Sequence, residues 1–247
     1  MKKIFDWQVI LGIVLMALSA AVYYIHYLIF RDAHHIFLYL IGDIAFLFVE
    51  VLIVTLILHR LLTSREKRSM MKKMNMVIGA FFSEAGTELI KLCRAFDSVP
   101  CGIAKELSVN GQWSDKDFVR MRRKAGSYAC AIECGRGDIS ALKDLLLKKR
   151  DFVLRLLENP NLLEHESFTN LLWAVSHLTE ELAYRKDLKD LPQKDYEHIA
   201  GDIKRAYTLL ISEWLFYIKH LKSDYPYLFS LAIRTNPFDP SASVVIR

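Results

Sequence analysis

Glycine, proline and cysteine are scarce in this sequence: 10, 6 and 4 residues of 247. These low counts exclude a collagen-like repeat, a proline-rich or glycine-rich disordered chain, and a small disulfide-stapled fold. The sequence also lacks a phosphate-cradling glycine loop, a nucleophile elbow and a kinase signature. Enzymatic activity is therefore not expected, and no cofactor is predicted.

Hydrophobic residues make up 53% of the chain and are concentrated near its amino end. Residues 7–30 form an uncharged stretch of 24 residues, which as a helix of about 36 Å spans a hydrocarbon core of about 30 Å. A second apolar stretch covers residues 36–62, and only residues 31–35 separate the two. The pattern predicts an antiparallel transmembrane hairpin within residues 1–63.

Basic residues predict the orientation of this hairpin. Lys2 and Lys3 precede the first span, and the connection offers Arg31 beside Asp32. Six basic residues follow the second span: Arg60, Arg65, Lys67, Arg68, Lys72 and Lys73. We therefore expect a multi-pass protein of the cytoplasmic (inner) membrane with both termini in the cytoplasm, its basic residues contacting anionic headgroups. A cleaved signal peptide is the alternative, but the first apolar run is long for one.

Two acidic residues interrupt the second span. Asp43 and Glu50 are seven residues apart and share a helix face. Counting back from the connection places Asp43 opposite Tyr23 and His26, and leaves Glu50 without a partner in its own hairpin. Carboxyl groups at this depth either hydrogen-bond at a helix–helix interface or line an ion path between subunits. The interface is the favoured interpretation, and an oligomeric channel or ion-coupled transporter is the alternative.

The remaining two-thirds of the chain shows helical periodicity and no alternating strand pattern. The pattern over residues 64–97 predicts a basic stalk that prolongs the second span and continues as an amphipathic helix. Residues 98–223 predict a cytosolic bundle, with helices from Ser114 to Cys134 and over 139–158, 166–187 and 192–222. Residues 224–247 are rich in aromatic residues and proline, and are expected to dock on the bundle. The fold class is all-α.

Acidic residues and histidines recur at helical spacing in the predicted bundle. Helices of a bundle build metal sites from such pairs, although the usual Glu-x-x-His order is reversed here. Solvated helix faces carry the same spacing, and that is the simpler explanation. The candidate metal ligands are Glu84, Glu88, His177, Glu180, Glu181, His198 and Asp202.

The four cysteines are Cys93, Cys101, Cys130 and Cys134. Their spacing matches no common zinc signature, and disulfides do not persist in the cytosol. Cys130 and Cys134 would face the same way on the predicted helix. We expect all four to be buried as small apolar side chains.

Three segments carry a resemblance to a known group of proteins. They are residues 42–47 (GDIAFL), residues 76–84 (MVIGAFFSE) and the chain end that contains residues 234–238 (RTNPF). Together they resemble a group of functionally uncharacterised two-span prokaryotic integral membrane proteins. The resemblance covers most of the chain and implies no activity.

These observations predict a non-catalytic, membrane-anchored helical scaffold or sensor that acts through self-association or contacts with a cytosolic protein partner. Nucleic-acid binding is not expected, because the basic residues lie next to the membrane and no recognition motif accompanies them. The alternatives are the ion path lined by Asp43 and Glu50, and a metal-binding helical bundle.

Overall fold

Helices form the regular structure of the chain in a computed structural model that describes residues 2–98, 106–128, 130–160, 162, 165–239 and 241–245. Within these residues there is no strand, and only an isolated bridge joins Asp97 to Ile132. The prediction of an all-α fold is therefore confirmed. The chain divides into two units, Met1–Lys67 and Arg68–Arg247.

Two long helices begin the chain, α1 (Lys2–Phe30) and α2 (Ala33–Phe81). Arg31 ends α1 in the left-handed region, with φ 52°, and its N–H donates to the Tyr27 carbonyl. Asp32 caps the N-terminus of α2, because its Oδ1 accepts hydrogen bonds from the backbone N–H groups of His34 and His35. The connection is therefore two residues long, and the prediction of a five-residue connection was wrong.

The first unit exposes its apolar side chains. Both helices are long and apolar enough to cross a membrane by length and composition, and the most apolar stretch of each contains no buried residue. Met16 is 71% exposed and Phe48 73% exposed. This surface consists of the large apolar side chains between Trp7 and Leu62.

The second unit has an apolar core that includes side chains from all of its helices. The last turns of α2 supply Met74, Ile78 and Phe81, and a single π-helical turn, Phe82–Gly86, follows. The remaining helices are α3 (Thr87–Ala95), α4 (Asp115–Gly126), α5 (Ile139–Leu157), α6 (Glu166–Tyr184), α7 (Gln193–Asp224) and α8 (Pro226–Arg234). The longest of these, α7, packs against α3, α4, α6, α8 and the π-helical turn.

The helix predicted from Ser114 to Cys134 is shorter than expected. Ser114 and Asp117 form a capping box at its start, as the sequence pattern indicates. The helix ends at Gly126 because the backbone of the residues that follow forms hydrogen bonds with residues 96–98 instead of continuing the helix. Ala131 O accepts from the Ser98 N–H, and the Glu133 N–H donates to Phe96 O. Cys130 and Cys134 therefore do not lie on a helix, and that part of the prediction was wrong.

The C-terminal segment packs on the bundle through its prolines and aromatic residues. Phe238 is buried and its ring lies 5.0 Å from that of Trp214, edge to face. The buried Asn236 donates from Nδ2 to the Leu107 carbonyl at 2.9 Å. Arg94 Nη1 donates to the Pro237 carbonyl at 3.0 Å. These contacts fix residues 236–238 against the bundle.

Candidate functional site

Two pairs, each made of a histidine and an acidic residue, meet where α6 packs against α7. His177 and Glu181 are one helical turn apart on α6, and His198 and Asp202 are one turn apart on α7. Residues at i and i+4 lie on the same helix face, so each helix offers an imidazole and a carboxylate on one face, one turn apart. The packing of these two helices brings the four side chains together.

Asp202 lies at the centre of this cluster. Its Oδ2 is 3.4 Å from His177 Nε2 and 3.4 Å from His198 Nε2. The ligand atoms of these three residues all lie within 4.8 Å of one another. Asp202 is only 4% exposed, whereas the side chains of His177 and His198 are 45% and 52% exposed. The cluster is therefore a buried carboxylate covered by two solvent-accessible imidazoles.

The two oxygens of Asp202 have different environments. Oδ1 accepts a hydrogen bond from Arg205 Nη1 at 3.0 Å. Oδ2 is buried and makes no hydrogen bond, although both imidazoles are close enough for ion pairing. A buried carboxylate oxygen without a hydrogen bond is costly, so Oδ2 needs a cation or a proton donor at this position.

Glu181 borders the cluster and is held by an arginine. Its Oε1 is 3.9 Å from His177 Nε2 and its Oε2 is 3.5 Å from His198 Nε2. Arg185 Nη1 donates to Glu181 Oε2 at 2.6 Å, and this hydrogen bond, with the nearby positive charges, lowers the pKa of Glu181. Glu181 is therefore a carboxylate at neutral pH.

Arg185 also ties the start of α7 to the end of α6. It donates from Nε to Asp195 Oδ2 at 2.8 Å and from Nη2 to Asp195 Oδ1 at 2.7 Å, a bidentate pair that lowers the pKa of Asp195. These carboxylates in turn raise the pKa of Arg185, so its charge is permanent. The arrangement fixes Glu181 beside the two histidines.

The other candidate metal ligands lie outside this cluster. Glu84 is exposed and pairs with Lys149 Nζ at 3.2 Å. Glu88 and Glu180 are exposed and are not among the residues that converge on Asp202. Sequence spacing identified His177, Glu181, His198 and Asp202 but not their convergence, and it missed Arg185, Asp195 and Arg205 entirely. The available signal was a pair of His-x-x-x-acid repeats on helices joined by a short loop.

The polar residues of the first unit do not form the predicted pairs. Asp43 and Glu50 are exposed and, within the described residues, neither makes a hydrogen bond or an ion pair. His26 lies instead beside Phe30 and His35, with ring centroids 4.7 Å and 5.8 Å away, and Tyr23 is half-buried. The pairing of Asp43 with Tyr23 and His26 therefore stays a prediction for the membrane-inserted chain.

The predicted membrane-surface residues are all accessible. Each of these six basic side chains on α2 is exposed: Arg60, Arg65, Lys67, Arg68, Lys72 and Lys73. Lys72 also contributes to lowering the pKa of Asp224, after the hydrogen bond from Ser223 and the charge of His220. Among the described residues, the side chains of the other five make no hydrogen bond or ion pair.

The described cysteines are buried thiols. Burial raises the pKa of Cys93 to about 12, and it also raises the pKa values of Cys130 and Cys134. Cys134 Sγ donates to the Tyr196 carbonyl at 3.2 Å. High pKa values disfavour the thiolate that binds metals, in agreement with a packing role. Cys101 lies outside the described residues.

Comparison with known proteins assigns both units to one family. Residues 2–62 match a family model described as MJ1433, N-terminal helical domain, and residues 70–234 match one described as Uncharacterized protein MJ1433, C-terminal helical domain. A relative, Uncharacterized protein MJ1433 of Methanocaldococcus jannaschii, is 44% identical over 239 residues, which cover 97% of this chain and 96% of that protein. No solved structure matches the chain. The chain therefore belongs to the MJ1433 family of helical proteins.

Proposed function

We propose that this protein is a membrane-anchored helical scaffold or sensor, in which residues 7–62 cross the cytoplasmic membrane twice and the bundle acts by binding. The supporting observation is the continuous apolar surface of the first unit, on which side chains such as Met16 and Phe48 are more than two-thirds exposed. Contiguous apolar patches beyond a few hundred Å² are rare on soluble monomers. A lipid bilayer covers such a surface and so keeps its apolar side chains out of water.

The charges on either side of these helices support a cytoplasmic location for both termini. Lys2 and Lys3 lie at the start of α1, before its apolar part, and the exposed basic group from Arg60 to Lys73 follows the apolar part of α2. The connection between the helices carries Arg31 beside Asp32. The positive-inside rule places the more basic ends in the cytoplasm. Anionic headgroups then neutralise the basic group, at about 1 kcal/mol for each residue close to the surface.

Cysteine accessibility in intact cells tests this topology. His34→Cys places a thiol in the first turn of α2, next to the connection, and Val245→Cys places one near the chain end, both at exposed positions. A membrane-impermeant maleimide should label the first variant in intact cells and the second only after lysis. The unsubstituted chain gives the background from the four native cysteines. Labelling of Val245→Cys in intact cells would contradict the proposed orientation.

Self-association between spans accounts for the two acids of the second helix. In the single chain Asp43 and Glu50 are exposed, so a bilayer would surround both carboxyl groups with hydrocarbon. An acidic side chain at that depth costs on the order of 2.5–3.5 kcal/mol. Contacts with a neighbouring copy reduce that cost by supplying polar partners. A strict monomer in nanodiscs of native-like lipid would contradict self-association.

The ion-path alternative stays a prediction with a direct test. Vesicles reconstituted with the full chain, and with Glu50→Gln in parallel, would conduct cations only if the carboxylates line a path. If both preparations are silent, this alternative is removed.

A binding role is proposed rather than catalysis because the sequence contains no motif for nucleophilic or phosphoryl-transfer chemistry. The partners would be anionic lipid, further copies of the chain and a cytosolic protein. Nucleic acid is not among them, because the basic group is needed at the membrane surface.

A further inference from the structure

We infer that the bundle contains a binding site for a divalent transition-metal ion, with His177 Nε2, His198 Nε2 and Asp202 Oδ2 as ligands. This inference goes beyond the proposed function and does not depend on membrane insertion, because all three residues belong to the second unit. It follows from the distances, the burial and the donor types of the cluster.

The two distances from Asp202 Oδ2 fit a tetrahedral ion, and the ligand atoms of all three residues lie within 4.8 Å of one another. An ion that binds nitrogen and oxygen at about 2.0–2.1 Å holds neighbouring ligand atoms about 3.3 Å apart at the edges of a tetrahedron. Asp202 Oδ2 is 3.4 Å from each of the two histidine nitrogens. An ion can therefore enter with only small side-chain movements, and both histidines can rotate because they are about half exposed.

Burial of Asp202 supplies the second, independent observation. Its Oδ2 is enclosed without a hydrogen bond, and it points to the two imidazole nitrogens. An ion between these atoms would satisfy Oδ2 and use the lone pairs of both neutral histidines. The hydrogen bond from Arg205 Nη1 to Oδ1 fixes the orientation of the carboxylate, as outer partners do at known metal sites.

The donor set selects the class of ion. Two imidazoles and one carboxylate suit zinc and neighbouring first-row metals, whereas calcium takes six to eight oxygen ligands and magnesium a near-octahedral shell of oxygens. The carboxylates of Asp202 and Glu181 balance the two positive charges of such an ion. Glu181 stays beside the histidines because Arg185 holds it.

The solvent-exposed side of the cluster leaves the fourth tetrahedral position accessible. Glu181 Oε1 is 3.9 Å from His177 Nε2 and makes no hydrogen bond to Arg185, whose bond is to Oε2. A small rotation of this carboxylate would bring Oε1 to the ion as a fourth ligand. Reversible exchange through this exposed side is suited to a sensor, because the ion can enter and leave without unfolding the bundle.

Metal titration of the full chain tests the site. The protein is purified, stripped with a chelator and titrated with Co²⁺, whose tetrahedral complexes absorb strongly in visible light, followed by competition with Zn²⁺. We expect one ion per chain and a tetrahedral cobalt spectrum. His177→Ala and His198→Ala should each weaken binding by more than the roughly 10–100-fold that loss of an outer partner costs. The melting temperature should rise with Zn²⁺ in the unsubstituted chain and not in these variants.

A matched control lies on the same helix. His220 forms an i,i+4 pair with Asp224, its Nδ1 2.9 Å from Oδ2, and it is not among the residues that converge on Asp202. His220→Ala should therefore leave metal binding unchanged. Asp202→Asn should abolish it while circular dichroism reports the helix content; if that variant does not fold, the two histidine variants decide. Absence of stoichiometric binding, or equal binding by His198→Ala and His220→Ala, would overturn the inference.

Discussion

A buried polar atom that makes no hydrogen bond costs about 1–3 kcal/mol, and more if it is charged. At Asp202 this cost falls on Oδ2, which is buried without a hydrogen bond, whereas Oδ1 accepts a hydrogen bond from Arg205. Functional sites are among the places where such a local rule is broken. The free energy that an ion gains at this carboxylate is the physical basis of the proposed site.

Ser114 offers a residue-scale test of how α4 begins. Its Oγ accepts from the Asp117 N–H, and Asp117 Oδ2 accepts from the Ser114 backbone and hydroxyl at 2.8 and 2.7 Å. Ser114→Ala should destabilise the protein by about 0.5–2 kcal/mol, the usual cost of a lost N-cap, in urea unfolding at neutral pH. Ser127→Ala, at the other end of α4, should have a smaller effect.

The same capping box predicts how this difference depends on pH. The hydrogen bonds from Ser114 lower the pKa of Asp117 in the folded protein. A carboxyl group whose folded pKa is depressed stabilises the fold above its unfolded value, about 3.9, and loses that contribution as the pH falls through the folded value. The gap between the unsubstituted chain and Ser114→Ala should therefore shrink below about pH 4. An unchanged gap at acidic pH would contradict this assignment.

At the scale of residues, the sequence identified which side chains could bind a metal ion, but not which of them lie close together. The i,i+4 spacing of His177 with Glu181 and of His198 with Asp202 was readable because it is set by one helix alone. Their convergence depends on the angle and register at which α6 packs on α7, which spacing within a helix does not encode. Arg185 pairs both with Glu181, four residues earlier, and with Asp195 across a loop, and only the second of these pairs depends on the path of the loop.

At the scale of elements, the π-helical turn joins α2 to α3 and positions two aromatic rings. Phe82 stacks on Tyr217 with ring centroids 5.3 Å apart, and Phe81 packs edge-to-face on Phe168 at 5.5 Å. Thr87 Oγ1 donates to the Phe82 carbonyl at 2.7 Å, which satisfies an acceptor in the widened turn. The sequence showed amphipathic periodicity here, but not the extra residue in the turn.

Gly86 tests whether this turn is as tightly packed as its contacts indicate. A Cβ atom at this position would lie 2.6 Å from Phe82 Cδ1 and 2.7 Å from Phe81 Cε1, and both rings are held by their aromatic partners. Gly86→Ala should destabilise the protein by about 1–3 kcal/mol, as overpacking of a core does. Thermal and urea unfolding of the detergent-solubilised chain would measure the change.

Gly201 provides the control for this substitution. It lies within α7, and a Cβ atom there would have no neighbour within 4 Å. Gly201→Ala should therefore stabilise the protein by about 0.4–1 kcal/mol, because it restricts the unfolded chain without a clash. If both alanine variants shift stability in the same direction, the packing described for the π-helical turn is wrong.

Helix starts were more predictable than helix ends and loops. The start of α4 follows from a capping box, and α5 begins after Asp138, whose Oδ1 accepts from the Ala141 N–H at 2.9 Å. The end of α4 depends on backbone hydrogen bonds between residues 96–98 and 131–133, which are distant in sequence. Local signals can predict a cap, but they do not predict pairing over more than thirty residues.

At the scale of the whole molecule, the division into two units follows from composition. The first unit is apolar and exposed, whereas the second buries its apolar residues in one core. The run of apolar residues predicted the N-terminal part, since it needs no tertiary information to be recognised, and helical periodicity predicted that the rest of the chain is helical. The convergence of His177, His198 and Asp202 could not be predicted, because these side chains meet only after folding.

Membrane insertion of the first unit is tested most directly by extraction of membranes from cells that express the full chain. The chain should stay in the membrane fraction after washing with high salt and with alkaline carbonate, and it should be released only by detergent. Salt removes proteins held by charge alone, so the result separates insertion from electrostatic adsorption by the basic group. Recovery of the intact chain in the carbonate supernatant would contradict a membrane-spanning hairpin.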